Sequence, residues 1–130
     1  LVCLVGSEMC IRDRDYIYLG SLCAFIGHVF PVWLKFKGGK GVATYLGILF
    51  CINYLLGLVF ITIWIIIFLI FKYSSLSSIL ATLSIPIFHF FYLNNDNYYF
   101  FIILFILIFY THRQNVKRLI NNTESKTKIY

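Results

Sequence analysis

Charge is what this sequence has least of. Only 12% of its 130 residues are Asp, Glu, Lys or Arg, and five of them are acidic, whereas a soluble domain carries roughly 25%. With 61% hydrophobic residues and a mean hydropathy of +0.86, a water-soluble globule is excluded. Cysteine pairs are lacking too. Cys3, Cys10, Cys23 and Cys51 are scattered, with no CxxC and no histidine at ligand spacing, so neither a metal site nor a disulfide framework is expected. The catalytic signatures of soluble enzymes are also missing. Gly38-Gly39-Lys40-Gly41 does not have the GxxxxGK[ST] spacing of a P-loop, and a nucleophile elbow is absent.

What is present is long apolar runs broken by short polar ones, the pattern of an all-α, polytopic integral membrane bundle. The net charge of +6 would suggest nucleic acid in a soluble chain. Here the cations sit at the ends of apolar segments, so membrane orientation and anionic head groups or substrates account for them, and no nucleic acid is expected.

Leu1–Asp15 differs from the rest. It lacks an initiator Met, and SEMCIRDR packs charges and the single Met into one patch. Residues 1–15 read as translated adapter sequence joined to a fragment, leaving 16–130 as the transmembrane domain. Tyr16–Leu34 is the first expected span: nineteen residues, or about 28 Å of helix against a hydrocarbon core of ~30 Å. Val42–Phe71 has two readings. One is a single thirty-residue helix, about 45 Å long and poorly matched to the bilayer. The other is a short helix that turns near Asn53, with Leu55–Phe71 returning. Leu76–Leu93 and Tyr98–Thr111 follow, separated by the cation-free turn Asn94–Asn97. Only the helix pair puts every Lys and Arg after residue 15 on the face of the basic tail. The positive-inside rule therefore selects it and predicts five embedded helices with the tail inside.

Two polar clusters could carry chemistry. Gly27–Thr44, GHVFPVWLKFKGGKGVAT, sets four glycines, three lysines and a histidine between apolar segments. Cations beside hydrocarbon need water, phosphate or head groups. The run 38–41 can turn tightly and offer backbone N–H groups, which with a lysine suit a phosphate. His112-Arg113-Gln114-Asn115-Val116-Lys117-Arg118, continuing to Glu124 and Lys126, is the second. If the last helix continues past Thr111, His112 and Asn115 lie one turn apart and Arg118 about 60° further round. Each cluster also has a plain reading, as a topology-setting basic loop and a juxtamembrane basic stop. His89 reads as a packing residue, and Ser74–Ser78 as the cap of the helix that follows.

Together, GHVFPVWLKFKGGKGVAT and HRQNVKRLINNTESK closely resemble two of the three signature segments of the bacterial acyl-phosphate:glycerol-3-phosphate acyltransferases. The resemblance runs from about Tyr16 to Lys126. It implies a seven-helix membrane enzyme that moves an acyl group from acyl phosphate to the first-position hydroxyl of glycerol 3-phosphate. The products are lysophosphatidic acid and phosphate, the first step of phospholipid synthesis. It implies that Gly38, Gly39, Lys40 and Gly41 help build a phosphate pocket and that His28, Lys35, Phe36 and Lys37 support it. It further implies that His112, Asn115, Arg118, Glu124 and Lys126 form the C-terminal motif. Catalysis would fall to Lys40, His112 and Asn115, with His112 either a general base or a phosphate ligand. No metal or organic cofactor is implied. The setting would be the bacterial plasma membrane, with the site on the cytoplasmic side.

Asn122 stands where the family usually has glycine, and asparagine also tolerates left-handed backbone. The family's N-terminal signature, which carries a serine and an arginine, has no counterpart in Leu1–Asp15. About two helices are therefore expected to be missing, and with them activity of the piece alone. The HxxxxD arrangement of many other glycerolipid acyltransferases is absent. The alternative is a non-enzymatic membrane module or transporter fragment with basic cytoplasmic loops.

Overall fold

Asn53 breaks the long apolar run as the charge pattern requires. Its backbone is extended (φ −159°) and its side chain accepts a hydrogen bond from the Leu55 N–H at 2.9 Å, supplying an acceptor to an otherwise unsatisfied donor at the start of a helix. The chain then folds back. The Tyr45 and Phe60 rings meet edge-on, 5.7 Å apart, where one continuous helix would hold them about 22 Å apart. Gly57 allows the tight return, since a Cβ there would lie 2.8 Å from the Phe50 ring.

In this computed structural model the described residues are 2–30, 39–93 and 97–126, with side chains from residue 16 onward. They form helices α1 (Val2–Val29), α2 (Val42–Ile52), α3 (Tyr54–Phe71), α4 (Ser74–Phe88, continued by a π-helical turn, His89–Leu93), α5 (Tyr98–Thr111) and α6 (Arg113–Ile120), and no strand. They divide into two compact units, Leu1–Gly39 and Lys40–Tyr130.

The first unit departs from the sequence-based boundaries. Helix α1 runs unbroken through Asp15 instead of starting at Tyr16, and it stops at Val29. Glu, Met, Ile and Arg are adequate helix formers, so their charges do not interrupt a helix. Pro31 and Leu34 lie outside the described residues.

In the second unit, α3 pairs with α4 and α4 with α5. Leu56, Phe60, Ile79, Ala81, Ile85, Phe101, Leu104 and Ile108 form the interior. The polar residues of α4 are inside as well: Ser75, Ser77, Ser78 and Thr82 are all buried. Small hydroxyl residues let helix backbones approach closely and can return their hydrogen bond to the preceding turn. Ser77, Ser78 and Thr82 do this, donating to the carbonyls of Tyr73, Ser74 and Ser78. Between α3 and α4, Trp64 Nε1 donates to Ser78 Oγ at 3.1 Å. Large apolar side chains such as Ile66, Leu69, Ile70 and Ile106 stay exposed on the outside, where lipid replaces water. The expected serine cap is not formed. Tyr73 occupies the N-cap position without a side-chain bond, and Ser75, Ser77 and Ser78 are buried instead.

Among the described residues the apolar helices differ in reach. By length and composition α3 and the 20-residue stretch Ser74–Leu93 can cross a membrane, while α5 and α6 form one apolar pair bent by 62°. Helix α2, at eleven residues, is about 16 Å long and too short to cross. Pro86 lies inside α4. It lacks the N–H of the regular ladder, and the π-helical turn follows three residues later.

Candidate active site

The second unit brings one end of each hairpin together. Lys40 stands just before α2, where Gly41 takes a left-handed φ of 80° as N-cap, a conformation that glycine adopts without strain. This geometry leaves the first N–H groups of α2 without a side-chain cap, a partial positive charge with donors aimed outward. Thr111, at the end of α5, donates its hydroxyl to the Lys40 carbonyl at 3.0 Å and also lies 2.7 Å from the Ile108 carbonyl. The glycine loop and the C-terminal cluster, 71 residues apart, are thereby in contact.

His112 sits at the bend, as the residue that ends α5 and caps α6, so Asn115 follows it by one turn on α6 and not on a continuation of α5. Its backbone (φ −92°, ψ 5°) caps α5 and opens α6. Its side chain is almost wholly buried. Nδ1 lies 2.9 Å from the Ile108 carbonyl; a carbonyl only accepts, so Nδ1 carries the proton and Nε2 keeps a lone pair. Burial pushes the imidazole below its ordinary value. The Ile108 bond raises it, the Lys40 charge lowers it further and the Glu124 carboxylate raises it, and the net direction is down. The ring is neutral near pH 7.

Asn115 and Arg118 on α6 both turn to Glu124. Asn115 Nδ2 donates to Glu124 Oε1 at 2.8 Å, Ser75 Oγ donates to the same oxygen at 3.0 Å, and Arg118 Nη1 lies 3.9 Å from Oε2. Burial raises the Glu124 pKa, but the Asn115 and Ser75 hydrogen bonds and the Arg118 and Lys40 charges outweigh it, leaving the carboxyl below its ordinary value. It is ionised at neutral pH. Glu124 comes back to α6 because Asn122 turns the chain with a left-handed φ of 54°. The Thr123 N–H reaches the Arg118 carbonyl and the Asn122 N–H that of Leu119, the paired bonds of a Schellman helix end. Asparagine thus performs here the turn that glycine would.

Lys126 places its ammonium 5.7 Å from the Tyr73 ring centre, within cation–π range, so it fastens the tail to the α3–α4 turn. In the first unit, a Cβ on Gly39 would come within 2.9 Å of His28 Nε2, so a side chain at position 39 would displace that ring. Lys35, Phe36, Lys37 and Gly38 lie outside the described residues. Ser75 and Thr111 were not singled out from sequence as site residues. Their partners are 49 and 71 residues away, and neither lies within a charged run. An apolar groove of about 320 Å³ runs along α2 and α3, lined by Val42, Leu46, Phe60, Ile61 and Trp64.

A family model described as "Glycerol-3-phosphate acyltransferase" matches residues 1–122. Among relatives so named, one from Pelagibacter ubique is 66% identical over 116 residues, covering 89% of this chain and 60% of its own length. One from Wolbachia pipientis wMel is 43% identical over 122 residues, covering 94% and 63%. The chain therefore spans about three fifths of these relatives. A crystal structure of PlsY (YgiH), an integral membrane glycerol 3-phosphate acyltransferase, in its glycerol 3-phosphate form superposes with a TM-score of 0.79. It is 40% identical, covering 82% of this chain and 54% of PlsY. The lysophosphatidic acid form of the same protein matches equally well.

Proposed function

The chain belongs to the glycerol-3-phosphate acyltransferase family, and from that premise we propose that its full-length protein transfers an acyl group from acyl phosphate to glycerol 3-phosphate. The C–O bond of the mixed anhydride breaks and inorganic phosphate leaves. The primary hydroxyl forms the new ester, giving lysophosphatidic acid, and its proton passes to a base. Acyl phosphate is already activated, so no covalent enzyme intermediate is needed. The protein has to align hydroxyl and carbonyl and to screen two phosphates.

The single observation that carries this reading is the Thr111–Lys40 bond, which joins the two polar clusters. Lys40, Gly41 and the free N–H groups of α2 are the groups we assign to one phosphate, as helix N-termini bind anions. By the resemblance, Gly38 and Gly39 are assigned to the same phosphate, and His28, Lys35 and Lys37 to supporting roles. Arg118, half exposed at the rim, is assigned to the other phosphate. Asn115 orients the acceptor hydroxyl. His112, neutral and unprotonated at Nε2, serves as proton acceptor or phosphate ligand. The apolar groove between α2 and α3 suits an acyl chain. Lys40, Lys72, Arg113, Lys117, Arg118 and Lys126 cluster around the ends tied by Thr111, Ser75 and Tyr73. The positive-inside rule therefore favours the cytoplasmic face of a bacterial plasma membrane for the site.

The test is an acyl-transfer assay on the full-length protein in liposomes. With a long-chain acyl phosphate and glycerol 3-phosphate it is expected to yield lysophosphatidic acid and phosphate in equal amounts. Acyl phosphate left unconsumed, with no lysophosphatidic acid formed, would favour a non-enzymatic membrane module instead.

A further inference from the structure

We infer that Ser75, at the start of α4, is a positioning residue for Asn115, acting through Glu124; as a statement about catalysis this rests on the reaction proposed above. Glu124 Oε1 receives two donors at once, Ser75 Oγ at 3.0 Å and Asn115 Nδ2 at 2.8 Å. All three residues are withdrawn from solvent: Ser75 is 2% exposed, Asn115 5% and the Glu124 side chain 11%. A carboxylate has no proton to give, so it can face only the amide nitrogen of Asn115. That fixes which way the amide points and leaves Oδ1 on the opposite side as an acceptor. Glu124 itself lies on a tail beyond the Asn122 turn, four residues past the last residue of α6. The turn brings its backbone back to α6, but only side-chain partners set where the carboxylate sits. The Ser75 hydroxyl fixes it, and it comes from a hairpin that belongs to neither signature segment.

The neighbouring serines show that this is not general packing. Ser77 and Ser78 return their protons to the carbonyls four residues back, while Ser75 sends its proton to Glu124. Arg118 approaches the other carboxylate oxygen only to 3.9 Å, and Glu124 Oε2 is buried without a hydrogen bond. The serine and the asparagine are therefore the groups that hold the carboxylate, and removing the serine leaves Asn115 with a looser partner.

The experiment has two readouts in the full-length protein. In the acyl-transfer assay, Ser75→Ala is expected to lower kcat by roughly tenfold, the order set by a lost positioning hydrogen bond. KM for acyl phosphate should stay within about twofold, Ser75→Thr should restore kcat, and Ser75→Ala should have no further effect once Asn115 is alanine. Equal losses in both backgrounds, or full activity of Ser75→Ala, would overturn the assignment. The second readout needs no turnover. Ser75→Ala should lower the thermal midpoint of the parent but not of Glu124→Leu; strictly additive shifts would also overturn it. Coupled midpoints without any lysophosphatidic acid formation would leave the contact standing and count against the proposed reaction instead.

Discussion

Asn115→Ala in the full-length protein is expected to reduce acyl transfer by roughly two to three orders of magnitude, the scale seen when one pre-oriented transition-state contact is removed. The side chain is buried and held at 2.8 Å by an ionised carboxylate, so its position is set before substrate arrives. Removing it takes away the group assigned to the acceptor hydroxyl and leaves the Glu124 oxygen with one donor fewer in a confined place. Lys40→Ala should be comparably severe but should act differently. Its ammonium is exposed and unencumbered by any ion pair among the described residues, as suits a phosphate contact. Its loss should raise KM for the anionic substrates. Steady-state kinetics on both variants checks this: a near-normal kcat in Asn115→Ala, or an unchanged kcat/KM in Lys40→Ala, would remove that residue from the site.

Gly41→Val is expected to have the second large effect. At φ 80° a β-branched residue is badly strained, by about 2 kcal/mol or more. The chain can relieve that strain only by changing how α2 begins. Both consequences are measurable: a lower thermal midpoint and a KM for glycerol 3-phosphate raised by about tenfold or more. Gly41→Ala should be milder in both. An undiminished affinity for glycerol 3-phosphate in Gly41→Val would mean that the N-terminus of α2 holds no phosphate.

How much of this could be read in the sequence depended on whether the signal was local. Asn53 was legible because an uncharged polar residue in a thirty-residue apolar run conflicts with bilayer thickness, and the cations on either side decide the topology. The meeting of Lys40 with the His112 cluster was legible for the same reason, since charge placed both on one face. Asn122 drew notice because it stands where the resembled family has glycine, and its tolerance of positive φ fits the turn it makes. Ser75 and Thr111 could not. A hydroxyl next to a polar turn looks like a cap, and only the fold shows that its partner lies dozens of residues away. The bend at His112 was also hidden, because the polar pattern suits a straight helix and a bent one equally. The start of α1 went unseen because residues 1–15 were set aside as foreign sequence, although charged residues are good helix formers. The π-helical turn after Pro86 follows from a missing donor whose effect depends on what packs around it.

The account depends on the glycine loop and the C-terminal basic cluster sharing one membrane face. Lys40→Cys, Lys117→Cys and Asn97→Cys, each introduced singly into a version of the full-length protein freed of its native cysteines, can be labelled with a membrane-impermeant maleimide. Asn97 opens α5 at the far end of the α4–α5 hairpin, about 30 Å from Ser75 along α4 and its π-helical turn. The account predicts that positions 40 and 117 react only in inverted vesicles and position 97 only in right-side-out cells. Labelling of positions 40 and 117 from opposite sides would contradict it.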